Sequence, residues 1–176
     1  KDWLRTANVF VLIIVCLAYA LINYLPASLG KHDAQELGSG DFTLDLYGWQ
    51  SFKNAFEKLK EEDVQTHNMQ PGAVIISNKW FPAAHLDYYV AYPLHMKLYA
   101  FGPMFDIHNF AWLNKQNGTI KKGTDAYYIS PSNYNSIPDS MYKKYFSAVE
   151  APVIIHQYRN KIAVRNFYIY RMKNAK

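Results

Sequence analysis

Apolar residues fill the first part of the chain almost without interruption. From Ala7 to Leu25 the sequence is ANVFVLIIVCLAYALINYL, in which only Asn8 and Asn23 are polar amides and no residue is charged. A helix of this length can cross the hydrocarbon core of a bilayer. The pattern therefore predicts a transmembrane helix within residues 1–25.

The residues that flank this helix indicate its orientation. Lys1 and Arg5 precede the apolar run, and Trp3 and Tyr24 lie near its two ends, where aromatic residues favour the membrane interface. The positive-inside tendency then places the amino terminus in the cytoplasm and the rest of the chain outside. A secretory signal peptide is the alternative, since AYA at residues 18–20 fits its cleavage region. The start on Lys rather than Met favours the last helix of a longer polytopic protein.

Small, polar and turn-forming residues follow the helix. Residues 26–40 read PASLGKHDAQELGSG, a composition that predicts a linker or extended loop. Its GSG precedes a predicted strand, whereas a dinucleotide-binding fingerprint needs its glycines after one. We therefore interpret 41–176 as a separate extracytoplasmic domain.

Strand and helix patterns alternate through the first part of that domain. FTLDLYGW predicts a short strand ending near Leu46, and QSFKNAFEKLKEED has apolar residues at helical spacing. AVIIS predicts a strand buried on both faces. WFPAAHLDYYVAYP predicts a second helix, with Asn78 as its N-cap and Pro82 in its first turn.

The remaining patterns complete the predicted sheet. MKLYAFG and DAYYIS predict two more strands around a third helix, DIHNFAWLNK. APVIIHQYRNKIAVRNFYIYRMK contains two alternating runs around RN, as in an antiparallel hairpin. Together they predict an α/β fold, a three-layer sandwich with a mixed, mostly parallel sheet that ends in the hairpin.

Composition narrows the classes of partner. Tyrosine is abundant, at 15 of 176 residues. Its ring can be buried while its hydroxyl contacts water or a polar partner, which suits a binding groove or packing at an interface. The alternative is a Tyr-rich core. The net charge of +5 would permit nucleic acid or anionic lipid partners. The Lys and Arg residues are scattered, however, with their densest spots at KKG and YKKY. This pattern disfavours nucleic-acid binding, and the single Cys16 excludes an internal disulfide.

Candidate binding residues follow the predicted strands. In an open α/β sheet, ligands bind beyond the carboxyl ends of the strands. The residues expected there, together with His85 on the second helix, are Asp45, Tyr47, Asn78, Lys79, Trp80 and Ser130. They would suit a sugar or another small polar ligand. The alternative is that Asn78 and Ser130 cap helices and Trp80 packs between layers.

Templates for catalysis and metal binding are missing from the sequence. It contains no GxSxG, HExxH or GxxxxGK[ST]. His85, His95, His108 and His156 fall on separate predicted elements, which disfavours a transition-metal site. We therefore expect no catalytic residue, metal site or cofactor in this segment.

Three blocks of sequence resemble a known family. They are DFTLDLYGWQSFKNAF, VIISNKWFPAAHLDYYVAYP and LYAFGPMFDIHNFAWLN. In order and spacing they resemble the carboxy-terminal region of bacterial membrane glycosyltransferases of the dolichyl-phosphate-mannose protein mannosyltransferase and undecaprenyl-phosphate aminoarabinose transferase type. The positions that match are Asp45, Gly48, Trp49, Asn78, Trp80, His85, Tyr88, Tyr89, Gly102, Asn109, Trp112 and Asn114.

The resemblance implies a polytopic enzyme that moves a sugar from a polyprenyl-phosphate carrier to an acceptor. Its place would be the inner membrane, with the soluble domain on the periplasmic side. In that family the catalytic carboxylates, and any divalent metal that they bind, belong to a first loop near the amino terminus that this chain does not contain. The expected partners are the membrane, the other transmembrane helices, and a polyprenyl-phosphate sugar or acceptor glycan. The alternative is a membrane-anchored binding module for a carbohydrate or small polar ligand.

Overall fold

The apolar segment at the start of the chain forms one long helix. The computed structural model describes residues 2–138 and 140–176. In it, α1 spans Asp2–Tyr24 and none of its residues is buried. It is long and apolar enough to cross a membrane, and within the described residues it is the one such helix. The predicted helix is confirmed.

The predicted first strand is wrong. Phe42–Asp45 form a 3₁₀ helix instead, and Asp41 occupies its N-cap position. One Asp41 carboxylate oxygen accepts a hydrogen bond from the backbone N–H of Thr43 at 2.9 Å. Such local side-chain bonds offer the backbone an alternative to a sheet ladder. The alternation of apolar and polar residues in FTLDL therefore belongs to a helical turn and not to a strand.

Within the residues that the structure describes, five further α-helices follow α1, and the second of them continues as a π turn. They are α2 (Trp49–Gln65), α3 (Trp80–Leu86, then the π turn Asp87–Ala91), α4 (Met104–Ile107), α5 (Phe110–Asn117) and α6 (Ser140–Lys143). The predicted α2 is confirmed, and it buries Trp49, Phe52 and Phe56. The predicted third helix is divided, because His108, between α4 and α5, has a positive φ of 46° that no α-helix contains.

The start of α3 differs in one detail from the expectation. Pro82 lies in the first turn, as predicted, where its missing N–H costs no helical bond. Asn78 does not cap the helix. The N-cap position is Lys79, which has an extended backbone and no capping side-chain hydrogen bond.

In the described part of the chain, six strands form one mixed sheet. They are β1 (Val74–Ser77), β2 (Leu98–Ala100), β3 (Ala126–Pro131), β4 (Phe146–Val149), β5 (Val153–Arg159) and β6 (Ile162–Ala175). The order is β2-β1-β3-β6-β4, and β5 also pairs with β6. β1 is parallel to β2 and β3, whereas β6 is antiparallel to β3, β4 and β5. The hairpin is confirmed, but antiparallel pairs outnumber parallel ones because the long β6 pairs with three strands.

The register of β6 defines the two ends of the sheet. Pro131 at the end of β3 pairs with Phe167, and Arg159 pairs with Ile162 across the hairpin turn. The carboxyl ends of β1, β2 and β3 and the hairpin turn therefore point the same way. We call this side the carboxyl end of the sheet, and the hairpin turn extends beyond the neighbouring strands there.

Both faces of the sheet are apolar. On one face Ile75, Tyr127 and Phe167 pack with residues of α2, α3 and α5. The other face carries a cluster that includes Tyr128, Tyr170 and residues of β2, β4 and α6. Many tyrosines thus belong to the core, as the alternative interpretation of their abundance expected. The three-layer arrangement stays a prediction.

The segment predicted as a linker contacts the sheet. The carbonyl oxygen of Ala34 accepts hydrogen bonds from the Tyr168 hydroxyl at 2.6 Å and the Asn166 amide at 3.0 Å. The carbonyl oxygen of Leu37 accepts a bond from the Ser132 hydroxyl at 2.5 Å. Residues 26–40 therefore connect α1 to the domain through fixed contacts.

Candidate functional site

Two of the predicted site residues, Asp45 and His85, belong to or contact one group of aromatic side chains. The Tyr134 hydroxyl donates to the Asp45 carboxylate at 3.0 Å. The ring of Phe81 lies 5.3 Å from that of Tyr134 and 4.6 Å from that of His85. His85 in turn stacks on Trp49 at 4.7 Å. We call Trp49, Phe81, His85 and Tyr134 the aromatic cluster.

The cluster holds its polar groups in fixed positions. The Trp49 indole N–H donates to the Asp45 carbonyl oxygen at 2.8 Å, so Asp45 contacts the cluster through backbone and side chain. Burial, and after it the charge of Asp45, raises the pKa of Tyr134 to about 12. Tyr134 therefore stays a neutral hydrogen-bond donor throughout the physiological range.

The other predicted residues are dispersed. The Tyr47 hydroxyl donates to the Tyr158 carbonyl oxygen at 3.0 Å, towards the hairpin. Asn78 and Lys79 are half-buried after β1. Trp80 is 45% exposed and makes an edge contact with His108 at 5.4 Å.

Ser130 has a structural contact. Its side chain is buried, and its hydroxyl oxygen accepts a bond from the backbone N–H of Ser136 at 2.9 Å. Ser130 therefore stabilises the segment after β3 and is not exposed to a ligand. The predicted lining of one crevice is thus dispersed. Asp45 ends a 3₁₀ helix and Tyr47 comes shortly after it, so neither residue follows a strand.

Sequence reasoning missed the buried Arg165. Its guanidinium donates to the carbonyl oxygens of Leu44 at 2.8 Å and Tyr47 at 2.6 Å, and to the Gln157 amide oxygen at 2.9 Å. It also lies over the Trp49 ring, 4.6 Å from its centre. Burial lowers the pKa of Arg165 to about 9, which still leaves it charged at neutral pH. The sequence signal that could have indicated this buried site is the position of Arg165 within the apolar run of β6.

Arg159 is the second buried arginine that the sequence analysis missed. Its guanidinium donates to the carbonyl oxygen of Ile22 at 3.0 Å, near the end of α1, and to that of Ala27 at 2.7 Å. It also donates to the Thr43 hydroxyl at 2.8 Å and forms an ion pair with Asp41 at 3.3 Å. A cation at a helix carboxy terminus also complements the helix dipole.

Asn160 completes this contact. Its amide donates to the carbonyl oxygen of Tyr24, the last residue of α1, at 2.8 Å. We call Arg159 and Asn160, with Asp41 and Thr43 behind them, the helix clamp. It fixes the end of α1 to the hairpin turn by hydrogen bonds to carbonyl groups that a helix end otherwise leaves unpaired.

Asp41 stays ionised within the helix clamp. Burial alone would raise its pKa, but hydrogen bonds from Thr43 and Leu29 and the charge of Arg159 outweigh that effect. The pKa of Asp41 therefore lies below its usual value. The carboxylate and the guanidinium are both fully buried, so each depends on the other for charge compensation.

A cleft lies between the end of α1 and the start of α2. It has a volume of about 380 Å³. Its lining consists of Asn23, Leu46, Tyr47, Gly48, Trp49, Gln50, Ser51 and Tyr89. Gly48 has φ of 78°, and a Cβ there would meet the Gln157 side chain at 2.0 Å, so no other residue fits without displacement.

A larger cavity lies far from the predicted residues. It has a volume of about 600 Å³ and is lined at the other end of the sheet by residues that include His67, Asn68, Asp125 and Lys173. Among the residues that the structure describes, no three His, Cys, Asp or Glu side chains form a group that could hold a metal. The cleft beside α1 is the candidate site, since it contains Tyr47 and adjoins the aromatic cluster.

Comparison with known proteins adds no relative. No family model, no curated protein and no solved structure matches the sequence.

Proposed function

We propose that this chain is the carboxy-terminal, extracytoplasmic part of a polytopic glycosyltransferase that uses a polyprenyl-phosphate sugar. In this proposal the segment is accessory, and the catalytic carboxylates and any divalent metal belong to another part of the protein. The chain would lie in the inner membrane with its domain in the periplasm. The three-layer sandwich belongs to the same proposal, and the apolar character of both sheet faces supports it.

The observation that carries the proposal is the position of the cleft. Asn23 belongs to α1, whereas Gln50 and Ser51 belong to the first turn of α2, so the cleft joins the membrane helix to the domain. The helix clamp holds these two parts in one arrangement. A ligand with a polar head and an apolar tail would fit such a junction, because its tail could follow the exposed surface of α1 into lipid.

A second candidate function is a membrane-anchored binding module for a free carbohydrate or small polar ligand. Aromatic rings beside polar side chains favour it, since Tyr47, Trp49 and Tyr89 all line the cleft. Sugars bind well to such surfaces because rings cover their apolar faces and polar groups pair with hydroxyls. This function requires no carrier lipid.

Ligand titration separates the two candidates. The full chain in phosphatidylcholine nanodiscs is titrated by calorimetry with a short-chain polyprenyl phosphate and, separately, with mannose. We expect the polyprenyl phosphate to bind and Gln50→Ala to weaken it about tenfold, the effect of one lost hydrogen bond. Gln116→Ala is the matched control, since Gln116 is also an exposed helical glutamine and lies on α5, outside the cleft. Binding of mannose alone would favour the binding module, and binding of neither ligand contradicts both functions.

The gene upstream of Lys1 tests the polytopic part of the proposal. We expect several further hydrophobic spans and a first extracytoplasmic loop with a pair of acidic residues. A start codon directly before Lys1 would contradict the glycosyltransferase proposal and leave the binding module in place.

A further inference from the structure

Large apolar side chains are exposed at the turn of the β5–β6 hairpin and on the neighbouring 3₁₀ helix. Phe42 is 66% exposed, Leu46 69%, Tyr158 56% and Ile162 44%. We call these four residues the tip patch. Several exposed large apolar side chains at one end of a fold can mark an interaction site.

Hydrogen bonds fix the tip patch beside the end of α1. Phe42 directly precedes Thr43, and Leu46 follows Thr43 by three residues. The Thr43 hydroxyl accepts a bond from Arg159, which also donates to the Ile22 carbonyl of α1. Tyr158 and Ile162 flank the hairpin turn that carries Arg159 and Asn160. The patch therefore lies at the level where α1 ends.

That level corresponds to the surface of a bilayer if α1 spans one. The polar headgroup layer on each side of the hydrocarbon core is roughly 5–8 Å thick, comparable with the length of one large side chain. Tyr24 and Tyr158 are both more than half exposed here, and tyrosine favours this layer. Lys161 is exposed at the turn itself, where its ammonium can reach lipid phosphates.

We infer that the tip patch rests in the headgroup layer of the bilayer that α1 crosses, as a second lipid contact of the domain. This inference rests on the membrane anchoring in the proposed function but does not depend on a glycosyltransferase activity. Lipid is the occupant that the structure favours, because the patch continues directly from a helix whose apolar surface is unburied along its whole length.

Fluorescence quenching by lipids tests this arrangement. The chain has one cysteine, Cys16, within α1, so a Cys16→Ser background allows a single label at any chosen site. Leu46→Cys and Ile162→Cys each carry an environment-sensitive dye in the tip patch. The full chain is reconstituted into phosphatidylcholine vesicles that contain a minor fraction of phosphatidylglycerol and a headgroup spin label. We expect quenching of these labels to exceed that of the controls at least about twofold.

Two exposed tyrosines provide matched controls. Tyr92 is 79% exposed and comes shortly before β2, whereas Tyr145 is 55% exposed and precedes β4. Both lie at the other end of the sheet, and β4 pairs with the last residues of β6. The 14 residues of β6 place that end roughly 40 Å from the hairpin turn. Tyr92→Cys and Tyr145→Cys should therefore show little quenching.

The unmutated chain labelled at Cys16 separates the inference from its premise. Quenching at Cys16 by acyl-chain spin labels reports insertion of α1. If Cys16 is quenched and the tip-patch labels behave like the controls, the inference is overturned and the membrane anchor stands. If Cys16 itself is not quenched, both are overturned.

Discussion

Replacement of Arg159 by methionine should destabilise the domain and release α1 from it. Methionine keeps an unbranched apolar side chain but removes the guanidinium. The carboxylate of Asp41 then stays buried without a countercharge, and the carbonyl oxygens of Ile22 and Ala27 lose their donor.

The magnitude follows from the burial of the ion pair. Both side chains are fully buried, and removal of one partner of such a pair typically costs about 3–5 kcal/mol. Asp41 keeps its bonds from Thr43 and Leu29, which favours the lower half of that range. Asp41→Asn combined with Arg159→Met should cost about 1–2 kcal/mol less than the sum of the single changes, because the unpaired charge is then gone.

Two measurements check this prediction. Chemical unfolding of the full chain in detergent, followed by near-ultraviolet circular dichroism, gives the change in the free energy of unfolding. Spin labels at Cys16 and at Trp112→Cys report the distance between α1 and the domain, which should become broadly distributed in Arg159→Met. Arg165→Met is the control, since Arg165 is also fully buried but donates its hydrogen bonds to Leu44, Tyr47 and Gln157, which lie outside α1. It should lower stability and leave the distance unchanged.

The reasoning would be refuted by either of two results. A loss below about 1 kcal/mol for Arg159→Met would show that the buried pair contributes little. An unchanged, narrow distance distribution would show that the linker alone holds α1 in place.

Three further predictions concern stability. Gly48→Ala should cost about 1–3 kcal/mol in the free energy of unfolding, since φ is 78° and the new Cβ meets the Gln157 side chain; an unchanged urea midpoint would contradict this. Because the pKa of Asp41 is lowered in the folded domain, its stabilisation is present above the unfolded pKa of about 4 and is lost as the pH falls through the lower folded value. Unfolding curves between neutral pH and about pH 3 should show this loss, and Asp41→Asn should reduce it. The pKa of Tyr134 is raised to about 12, so its stabilisation is present below about pH 10 and is lost as the pH rises towards the folded value. Tyr134→Phe should flatten that alkaline loss of stability, and an identical alkaline profile for the variant would count against the Asp45 hydrogen bond.

The elements that the sequence predicted well are those with strong periodicity. α1 and α2 have unambiguous apolar patterns, the VIIS run is a buried strand as expected, and the YYIS run is a strand as expected. The RN turn also placed the hairpin correctly. In these segments local pattern and tertiary packing favour the same structure.

The predictions that were wrong concern segments whose local structure depends on residues far away in the sequence. Asp41 caps the 3₁₀ helix while paired with Arg159, a partner 118 residues away. The aromatic cluster likewise joins Tyr134 to Asp45 across 89 residues. Neither pairing leaves a periodic signal in the sequence, so the position of Asp45 after a strand was predicted wrongly and both arginines were missed.

The length of β6 has a mechanical consequence. Its first residues adjoin the helix clamp, and its last residues, near Lys173, reach the cavity at the other end of the sheet. Since the clamp joins α1 to the hairpin turn from which this strand starts, a change of about 10° in the tilt of α1 would move the far end of β6 by roughly 7 Å, over a strand of about 40 Å. Transmembrane helices vary in tilt over a range of about 40°. If α1 spans a bilayer as proposed, a change in bilayer thickness that alters its tilt would therefore displace the far end of β6 by several ångströms.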